Sequence, residues 1–224
     1  MRVLAVDTST MAGGVALVDG DRVVGESLLD VRTTHSERLM LAVDRALGDA
    51  GWPPASLDGL AVAIGPGSFT GLRIGLAAVK GLALALQRPI AAVPTLDAMA
   101  AHLPWASRPV CPILSARRDE VYASLYRWDG TAMRREWEYL ALPPAALAAR
   151  LTEPVLGVGD GVASVMSPWI TGIYPSRRGP TAAVVAWLGA ERLRRGEVAP
   201  AADLIPLYLR PPEAELRRRV SAVH

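Results

Sequence analysis

The segment Gly-Pro-Gly-Ser-Phe-Thr-Gly could bind a charged ligand, because it joins an apolar run that ends at Ile64 to a predicted helix that starts near Leu72. Backbone N–H groups at a helix start lack intrahelical partners and lie at the positive end of the helix dipole, so they can bind an anion. The segment consists of Gly65, Pro66, Gly67, Ser68, Phe69, Thr70 and Gly71, and Arg73 follows it. A structural turn and a partner surface remain alternatives to anion binding.

The known phosphate and nucleophile templates do not fit this segment. A P-loop needs Gly-Lys followed by Ser or Thr, where this chain has Gly71–Arg73. A dinucleotide fingerprint needs glycine in place of Thr70. A nucleophile elbow centred on Ser68 needs glycine at positions 66 and 70. The segment therefore predicts no specific nucleotide chemistry.

Other groups that could do chemistry are few. Asp7 ends the first predicted strand, and Asp7, Thr8 and Ser9 form a candidate vestigial phosphate site; the alternative is a turn acid that accepts backbone hydrogen bonds. The three histidines show no metal-ligand spacing, and a single cysteine, Cys111, gives no thiol cluster. Asp97 has no partner acid nearby in sequence and is predicted to be a surface residue.

Composition predicts a compact globular protein. The chain has 224 residues, of which 51% are hydrophobic and 21% charged, which excludes disorder and a coiled coil. The longest nearly apolar run, residues 76–86, is shorter than the roughly 20 residues of a membrane span. The N-terminus lacks the apolar core of a signal peptide, so we expect no membrane contact and a cytoplasmic location.

The basic residues permit two interpretations. The chain has 24 Lys and Arg residues, and only Lys80 is a lysine. The basic clusters are Arg117 with Arg118, Arg192 with Arg194 and Arg195, and Arg217 to Arg219. Solvated surface is the simpler interpretation, because an RNA footprint needs several such groups on one face. Direct RNA contact remains an alternative.

Hydrophobic patterning predicts a strand meander followed by alternating helices and strands. The predicted strands are 2–8, 14–18, 22–29, 59–64 and 89–93, and the predicted helices are 34–50, 72–86 and 96–103. Gly71, Gly75 and Ala78 lie on one stripe of the second helix, although glycine costs about 1 kcal/mol in a helix. Close packing against another helix, of this chain or of a partner, would explain the stripe.

The second half repeats the layout of the first. Asp7 aligns with Ser115, and the turn pair Asp19-Gly20 aligns with Asp129-Gly130. Each copy reads as strand, turn, strand, Asp-Gly turn, strand and helix. We therefore predict two similar α/β lobes, residues 1–107 and 108–224.

Five segments resemble the TsaB family, formerly YeaZ, in order and spacing. They are AVDTST from Ala5, GPGSFTGLRIG from Gly65, ARRDEVY from Ala116, VGDG from Val158 and PLYLR from Pro206. The resemblance implies a two-lobed actin-like, ribonuclease-H-like (ASKHA) fold with mixed sheets flanked by helices. It also implies a role in making N6-threonylcarbamoyladenosine at position 37 of tRNA.

The family resemblance implies a subunit without catalysis or a cofactor of its own. TsaB pairs with its catalytic homologue TsaD and acts with the ATPase TsaE; tRNA is reached through the complex, and TsaB alone can form a homodimer. TsaD carries a His-x-x-x-His pair suited to a metal, and Thr95 and Met99 occupy those positions here. An actin-like phosphotransferase and a glycoprotease-like metalloprotease are the alternative functions.

We predict that the first helix and the Gly-rich helix form the partner interface. They carry more apolar residues than one buried face of each helix needs. The predicted interface residues are Leu39, Met40, Val43, Leu47, Leu72, Gly75, Leu76 and Val79. We expect Gly75→Trp to abolish pairing while the monomer stays folded.

Overall fold

The first sheet contains five strands. The computed structural model describes residues 1–30, 35–117, 119–172 and 180–210. The strands are β1 (Arg2–Asp7), β2 (Ala12–Asp19), β3 (Arg22–Asp30), β4 (Gly59–Gly65) and β5 (Ile90–Pro94), in the order β3-β2-β1-β4-β5. The first three form the predicted antiparallel meander, and β4 and β5 run parallel to β1. Gly20, with φ of +62°, makes the turn between β2 and β3.

The second sheet repeats this order. Its strands are β6 (Val110–Ser115), β7 (Val121–Ala123), β8 (Tyr126–Trp128), β9 (Met133–Arg135), β10 (Leu140–Leu142), β11 (Val155–Val158) and β12 (Ile170–Gly172). The path β10-β7-β6-β11-β12 matches the path of the first sheet, and β8 and β9 form a side hairpin. β11 and β12 run parallel to β6, as β4 and β5 do to β1. The predicted duplication is confirmed.

Five helices flank the sheets in the described part of the chain. They are α1 (His35–Asp49), α2 (Phe69–Leu86), α3 (Thr95–Ala100), α4 (Pro144–Arg150) and α5 (Ala182–Arg194). The buried sides of α1 and α2 share a core with Leu4 and Val6 on one face of the first sheet. The buried side of α5 shares a core with Val3 and Ala5 on the other face. We call the first sheet with α1, α2, α3 and α5 the first lobe, and the second sheet with α4 the second lobe.

Helix α5 connects the two halves of the chain. Its residues come from the second half of the sequence, yet they pack on the first sheet. Gly189 of α5 permits this approach, because a Cβ there would collide with the Ala61 side chain. A boundary near residue 107 therefore separates the two sheets in sequence, whereas the first sheet is covered by helices from both halves.

Helix α2 starts earlier than the sequence predicts. It begins at Phe69, because Ser68 caps it by accepting a hydrogen bond from the Gly71 N–H at 3.2 Å. It ends at Leu86, and the following C-cap residue, Gln87, takes the left-handed conformation with φ of +52°. By length and composition α2 could cross a membrane, but in this fold it lies against the first sheet as a core helix.

Candidate functional site

The sequence segments that carry chemistry meet at one edge of the molecule. The carboxyl end of β1 (Asp7 to Ser9), the Gly-rich loop (residues 65–71) and residues 206–210 contact one another. Glu120 of the second lobe joins them through its ion pair with Arg210. In parallel sheets, ligand sites form outside the carboxyl ends of the strands. This edge is therefore the candidate functional site.

The Gly-rich loop is fixed against the end of β1. The Ser68 N–H donates to the Ser9 carbonyl at 2.7 Å, and the Thr8 hydroxyl donates to the Gly71 carbonyl at 2.7 Å. A Cβ on Gly67 would lie 3.0 Å from the Ser9 carbonyl carbon and closer still to its oxygen. The Gly65–Pro66 peptide is cis. Loop and strand end therefore form one packed unit.

The close packing predicted for the glycine stripe is present, but its partner is a strand end. A Cβ on Gly71 would collide with the Thr8 carbonyl oxygen, and one on Gly75 would collide with the Thr8 hydroxyl. The expectation that a helix packs against these two glycines is wrong. Sequence periodicity identified the close approach but could not identify which element makes it.

Asp7 is fully buried at the end of β1. Its Oδ1 accepts a hydrogen bond from the Ser9 N–H at 2.9 Å, which is the role of a turn acid, and its Oδ2 has no hydrogen-bond partner. Burial raises the pKa of the Asp7 carboxyl to about 6, although hydrogen bonds from Ser9 act in the opposite direction. Asp7, Thr8 and Ser9 are all buried, so in this structure they do not form the predicted phosphate site.

The C-terminal segment 206–210 lies across the Gly-rich loop, a contact that sequence reasoning missed. The Leu207 N–H donates to the Ile64 carbonyl at 2.7 Å. The Tyr208 ring stacks on Phe69 with a centroid distance of 5.3 Å, and its hydroxyl accepts from Arg73 Nε at 2.9 Å. The Arg73 guanidinium carbon also lies 3.8 Å from the Phe69 ring centroid. The chain itself therefore covers the loop that could have bound an anion.

The corresponding edge of the second lobe is built differently. Ser115 occupies the position of Asp7 at the end of β6, and its N–H donates to Asp160 Oδ1 at 2.8 Å. Between β11 and β12 the only described helix is a 3-10 turn, Val162–Ser164, where the first lobe has α2. A Cβ on Gly161 would lie 2.9 Å from the carbonyl carbon of Leu114, so this turn also packs closely on its strand.

The positions of the histidine pair carry no metal ligands. Thr95 and Met99 lie on α3, and both are buried. Within the residues that the structure describes, no group of three or more His, Cys, Asp or Glu side chains could hold a metal ion.

Most of the predicted interface residues are unavailable to a partner. Leu39, Val43, Leu47, Leu72, Gly75, Leu76 and Val79 are buried. The prediction is wrong for these seven residues, because both helices need their apolar stripes to cover the first sheet. Gly75→Trp would disrupt the monomer, so it cannot test pairing. Met40 is 45% exposed and remains a candidate. Other apolar side chains are exposed on the same helices, namely Leu41 at 47% on α1 and Leu84 at 82% on α2.

The basic cluster on α5 is largely neutralised. Arg192 pairs with Asp97, and Arg194 lies 3.8 Å from an Asp21 carboxylate oxygen. Arg195 pairs with Glu197 at 2.9 Å. Residues 118 and 217–219 lie outside the described part of the chain. The described arginines of the α5 cluster therefore do not form an unpaired basic face for RNA.

The strand order of both sheets, together with the duplication, defines a two-lobed protein of the actin-like, ribonuclease-H-like class. A sequence profile described as TsaD, tRNA N6-adenosine threonylcarbamoyltransferase, matches residues 30–171. The tRNA threonylcarbamoyladenosine biosynthesis protein TsaB of Bacillus subtilis is 32% identical over 237 aligned positions, covering 97% of each chain. The chain belongs to the TsaB family, also called YeaZ, and the family acts in threonylcarbamoyladenosine biosynthesis.

Two further relatives agree with this assignment. TsaB of Escherichia coli is 38% identical over 132 residues, or 58% of this chain and 56% of that protein. The solved structure of YeaZ from Pseudomonas aeruginosa superimposes with a TM-score of 0.83 at 33% identity, covering 93% of this chain and 99% of that one. The resemblance read from the five sequence segments is thereby confirmed.

Proposed function

We propose that this protein is a non-catalytic subunit of the complex that transfers the threonylcarbamoyl group to adenosine 37 of tRNA. It pairs with a TsaD-like catalytic subunit and works with a TsaE-like ATPase in the cytoplasm. The observation that carries the proposal is the covered Gly-rich loop: Tyr208 and Leu207 contact it directly, and the adjacent acid, Asp7, is buried. A catalytic phosphotransferase needs this edge open to its substrate.

The positions of Thr95 and Met99 support the same proposal. In the catalytic homologue a histidine pair would hold a metal there, whereas this chain places a buried hydroxyl and a buried thioether. A hydroxyl and a thioether are poor ligands for the metals that imidazole suits. The chain therefore lacks the ligand pair that a metalloprotease or a metal-dependent transferase would use at this place.

The direct test is threonylcarbamoyl transfer to tRNA by purified TsaD-like and TsaE-like subunits supplied with threonylcarbamoyl-adenylate. Transfer should require this protein, while the protein alone should hydrolyse no ATP and carry no zinc. ATP turnover by the isolated chain would instead favour the phosphotransferase function. Transfer that is unchanged without the protein would overturn the proposal.

The exposed apolar residues of α1 and α2 are the candidate docking surface for the catalytic subunit. Met40 and Leu84 are solvent-exposed, so placing a charge there leaves the core intact but puts an unpaired charge in the complex. We expect Leu84→Glu to weaken pairing at least about tenfold, and Met40→Glu to weaken it less. Isothermal titration with the catalytic subunit measures both effects.

The second lobe provides a matched control for this surface. Met166 is 88% exposed, close to the 82% of Leu84, but lies in the other lobe. Met166→Glu should leave pairing unchanged. If Met166→Glu and Leu84→Glu lowered the affinity for the catalytic subunit equally, general surface charge, rather than the α1 and α2 surface, would control pairing. The same variants test whether this surface also forms a homodimer. Sedimentation of the protein without the catalytic subunit measures its oligomeric state.

A further inference from the structure

A partly buried cluster around Asp97 joins the two lobes. Asp97 lies on α3, and its Oδ1 accepts hydrogen bonds from the hydroxyls of Tyr126 and Tyr139, each at 2.7 Å. Its Oδ2 accepts from Arg192 Nη2 at 3.3 Å. The predicted surface role of Asp97 is wrong, because its partners lie 29, 42 and 95 residues away and no local pattern reveals them.

The partners of Asp97 come from both lobes. Tyr126 lies on β8, and Tyr139 lies just before β10 of the second lobe. Arg192 lies on α5 of the first lobe, where its Nη1 also donates to the Ala92 carbonyl of β5 at 2.9 Å. One carboxylate therefore takes hydrogen bonds from two tyrosines of one lobe and from an arginine anchored on the sheet of the other.

The surroundings of the cluster make these hydrogen bonds effective. The Asp97 and Arg192 side chains keep only 23% and 29% of their exposure, and Tyr126 is 2% exposed. Hydrogen bonds to a charged group are stronger than neutral ones, and screening is weaker away from solvent. Burial, and secondarily the charge of Asp97, raises the pKa of both tyrosines above its ordinary value, so both hydroxyls stay protonated and donate.

A second polar contact between the lobes is weaker. Arg210, at the end of the segment that covers the Gly-rich loop, pairs with Glu120 of the second lobe, and the Arg210 side chain is 55% exposed. Solvent-exposed pairs contribute little because water and salt screen them.

We infer that the Asp97 cluster is a lock that holds the two lobes at one fixed angle, so that the protein presents itself to other molecules as a single rigid body. Many two-lobed proteins close around a ligand by hinge motion. Here the apolar residues of α3, Leu96 and Met99, pack with Val110 and Val158 of the second lobe, and the Asp97 hydrogen bonds fix the direction of that contact. The inference stands independently of the proposed function.

The test measures the distance between the lobes in the isolated full-length protein. Spin labels are attached at Asp49→Cys on α1 and Ala149→Cys on α4, both exposed positions. The native Cys111 is buried, and burial raises the pKa of its thiol to about 12, so it stays unlabelled. Pulsed dipolar spectroscopy should give one narrow distance distribution for the otherwise unchanged protein.

The decisive variant is Tyr126→Phe combined with Tyr139→Phe, which removes both tyrosine hydrogen bonds to Asp97 and keeps the Asp97–Arg192 pair. It should raise the population of other lobe arrangements by about a hundredfold, since each such hydrogen bond contributes about a factor of ten, and a second or broader distance should appear. Tyr122→Phe makes the same chemical change on the neighbouring strand β7 and should leave the distribution narrow.

A folded double variant with an unchanged distribution would overturn the inference, because the apolar contacts of α3 would then suffice to fix the angle. Circular dichroism establishes that the variants are folded. Should the double variant not fold, each single tyrosine variant is measured instead. An increase of about tenfold in the population of other lobe arrangements in either variant supports the lock. Unchanged distributions in both folded single variants would equally overturn it.

Discussion

The two lobes share a strand order but differ at the edge where the chain could act. In the first lobe the acid at the end of the first strand, Asp7, is buried, and an 18-residue helix, α2, packs against the end of that strand at Thr8. In the second lobe Ser115 occupies that position, and the carboxylate at this edge comes from Asp160, which follows β11. A three-residue 3-10 turn stands in place of the helix. The same scaffold thus supports two different edges, which agrees with the rule that sites are built on folds rather than dictated by them.

Both lobes use close backbone contact at this edge, but the first makes it along a long helix, whereas the second makes it at a short turn and adds a carboxylate hydrogen bond to the strand end. Gly67, Gly71 and Gly75 allow α2 and its loop to touch the end of β1. The second lobe holds its strand end through the Asp160 carboxylate. Substitutions at these points should therefore have unequal effects.

The largest effect should come from Gly71→Ala. The added Cβ would collide with the Thr8 carbonyl oxygen, which belongs to the backbone and cannot rotate away. We expect a loss of about 3 kcal/mol in the free energy of unfolding, measured by urea denaturation. The control is Gly81→Ala on the same helix, where a Cβ meets nothing within 4 Å. It should stabilise the protein by up to about 1 kcal/mol. Similar results for both variants would contradict the close contact between α2 and β1.

The second largest effect concerns Asp7 and pH. Its pKa is raised from 3.8 to about 6 by burial, so between these values the folded protein binds more protons than the unfolded chain. Stability from this group is therefore present below pH 4 and is lost as pH rises to about 6, by about 3 kcal/mol in total. Denaturation midpoints measured across this range should show the loss.

Asp7→Asn should remove this pH dependence, because the amide cannot ionise and its oxygen still accepts from Ser9. The matched variant in the second lobe is Asp160→Asn, which changes an exposed carboxylate with the corresponding role. It should keep the wild-type slope. A slope that survives in Asp7→Asn would show that another group causes it.

A smaller effect is expected where the C-terminal segment covers the Gly-rich loop. Tyr208→Phe removes the hydrogen bond from Arg73 but keeps the ring stacked on Phe69. We expect the free energy of local opening to fall by about 1 kcal/mol, so amide exchange of residues 207–210 should accelerate about fivefold. Unchanged exchange there would mean that the stacking and the Leu207 hydrogen bond alone hold the segment.

The smallest effect is expected for Arg210→Ala, which breaks the exposed ion pair to Glu120. The loss in the free energy of unfolding should stay below about 1 kcal/mol and become smaller still in high salt. Urea denaturation at low and high ionic strength measures both. A large, salt-independent loss would show that this pair, rather than the Asp97 cluster, is the stronger polar link between the lobes.

Local patterns predicted much of the fold. The meander, its Asp19-Gly20 turn, the buried strand β4 and the duplication all have short-range signals, and the structure confirms them. The break between β7 and β8 and the loss of a second Gly-rich helix were not predicted, because short strands carry too few alternating residues to be separated.

The site was harder to predict, because its contacts are long-range. The glycine stripe on α2 signalled a close approach, but the approaching element, Thr8, lies 63 residues from Gly71. Tyr208 and Arg73 lie 135 residues apart. Apolar residues on α1 and α2 were assigned to a partner when they belong to the core, since a sequence pattern does not distinguish burial within a chain from burial between chains.

The return of α5 to the first sheet has a consequence for synthesis on the ribosome. One face of that sheet, including Ala61 and Ala91, is covered by residues 182–194, near the end of the chain. Domains generally fold as units as the chain emerges, at about 5–20 residues per second. The first lobe cannot complete its core until residues 182–194 have been made, and truncations before residue 182 should expose the apolar face of its sheet.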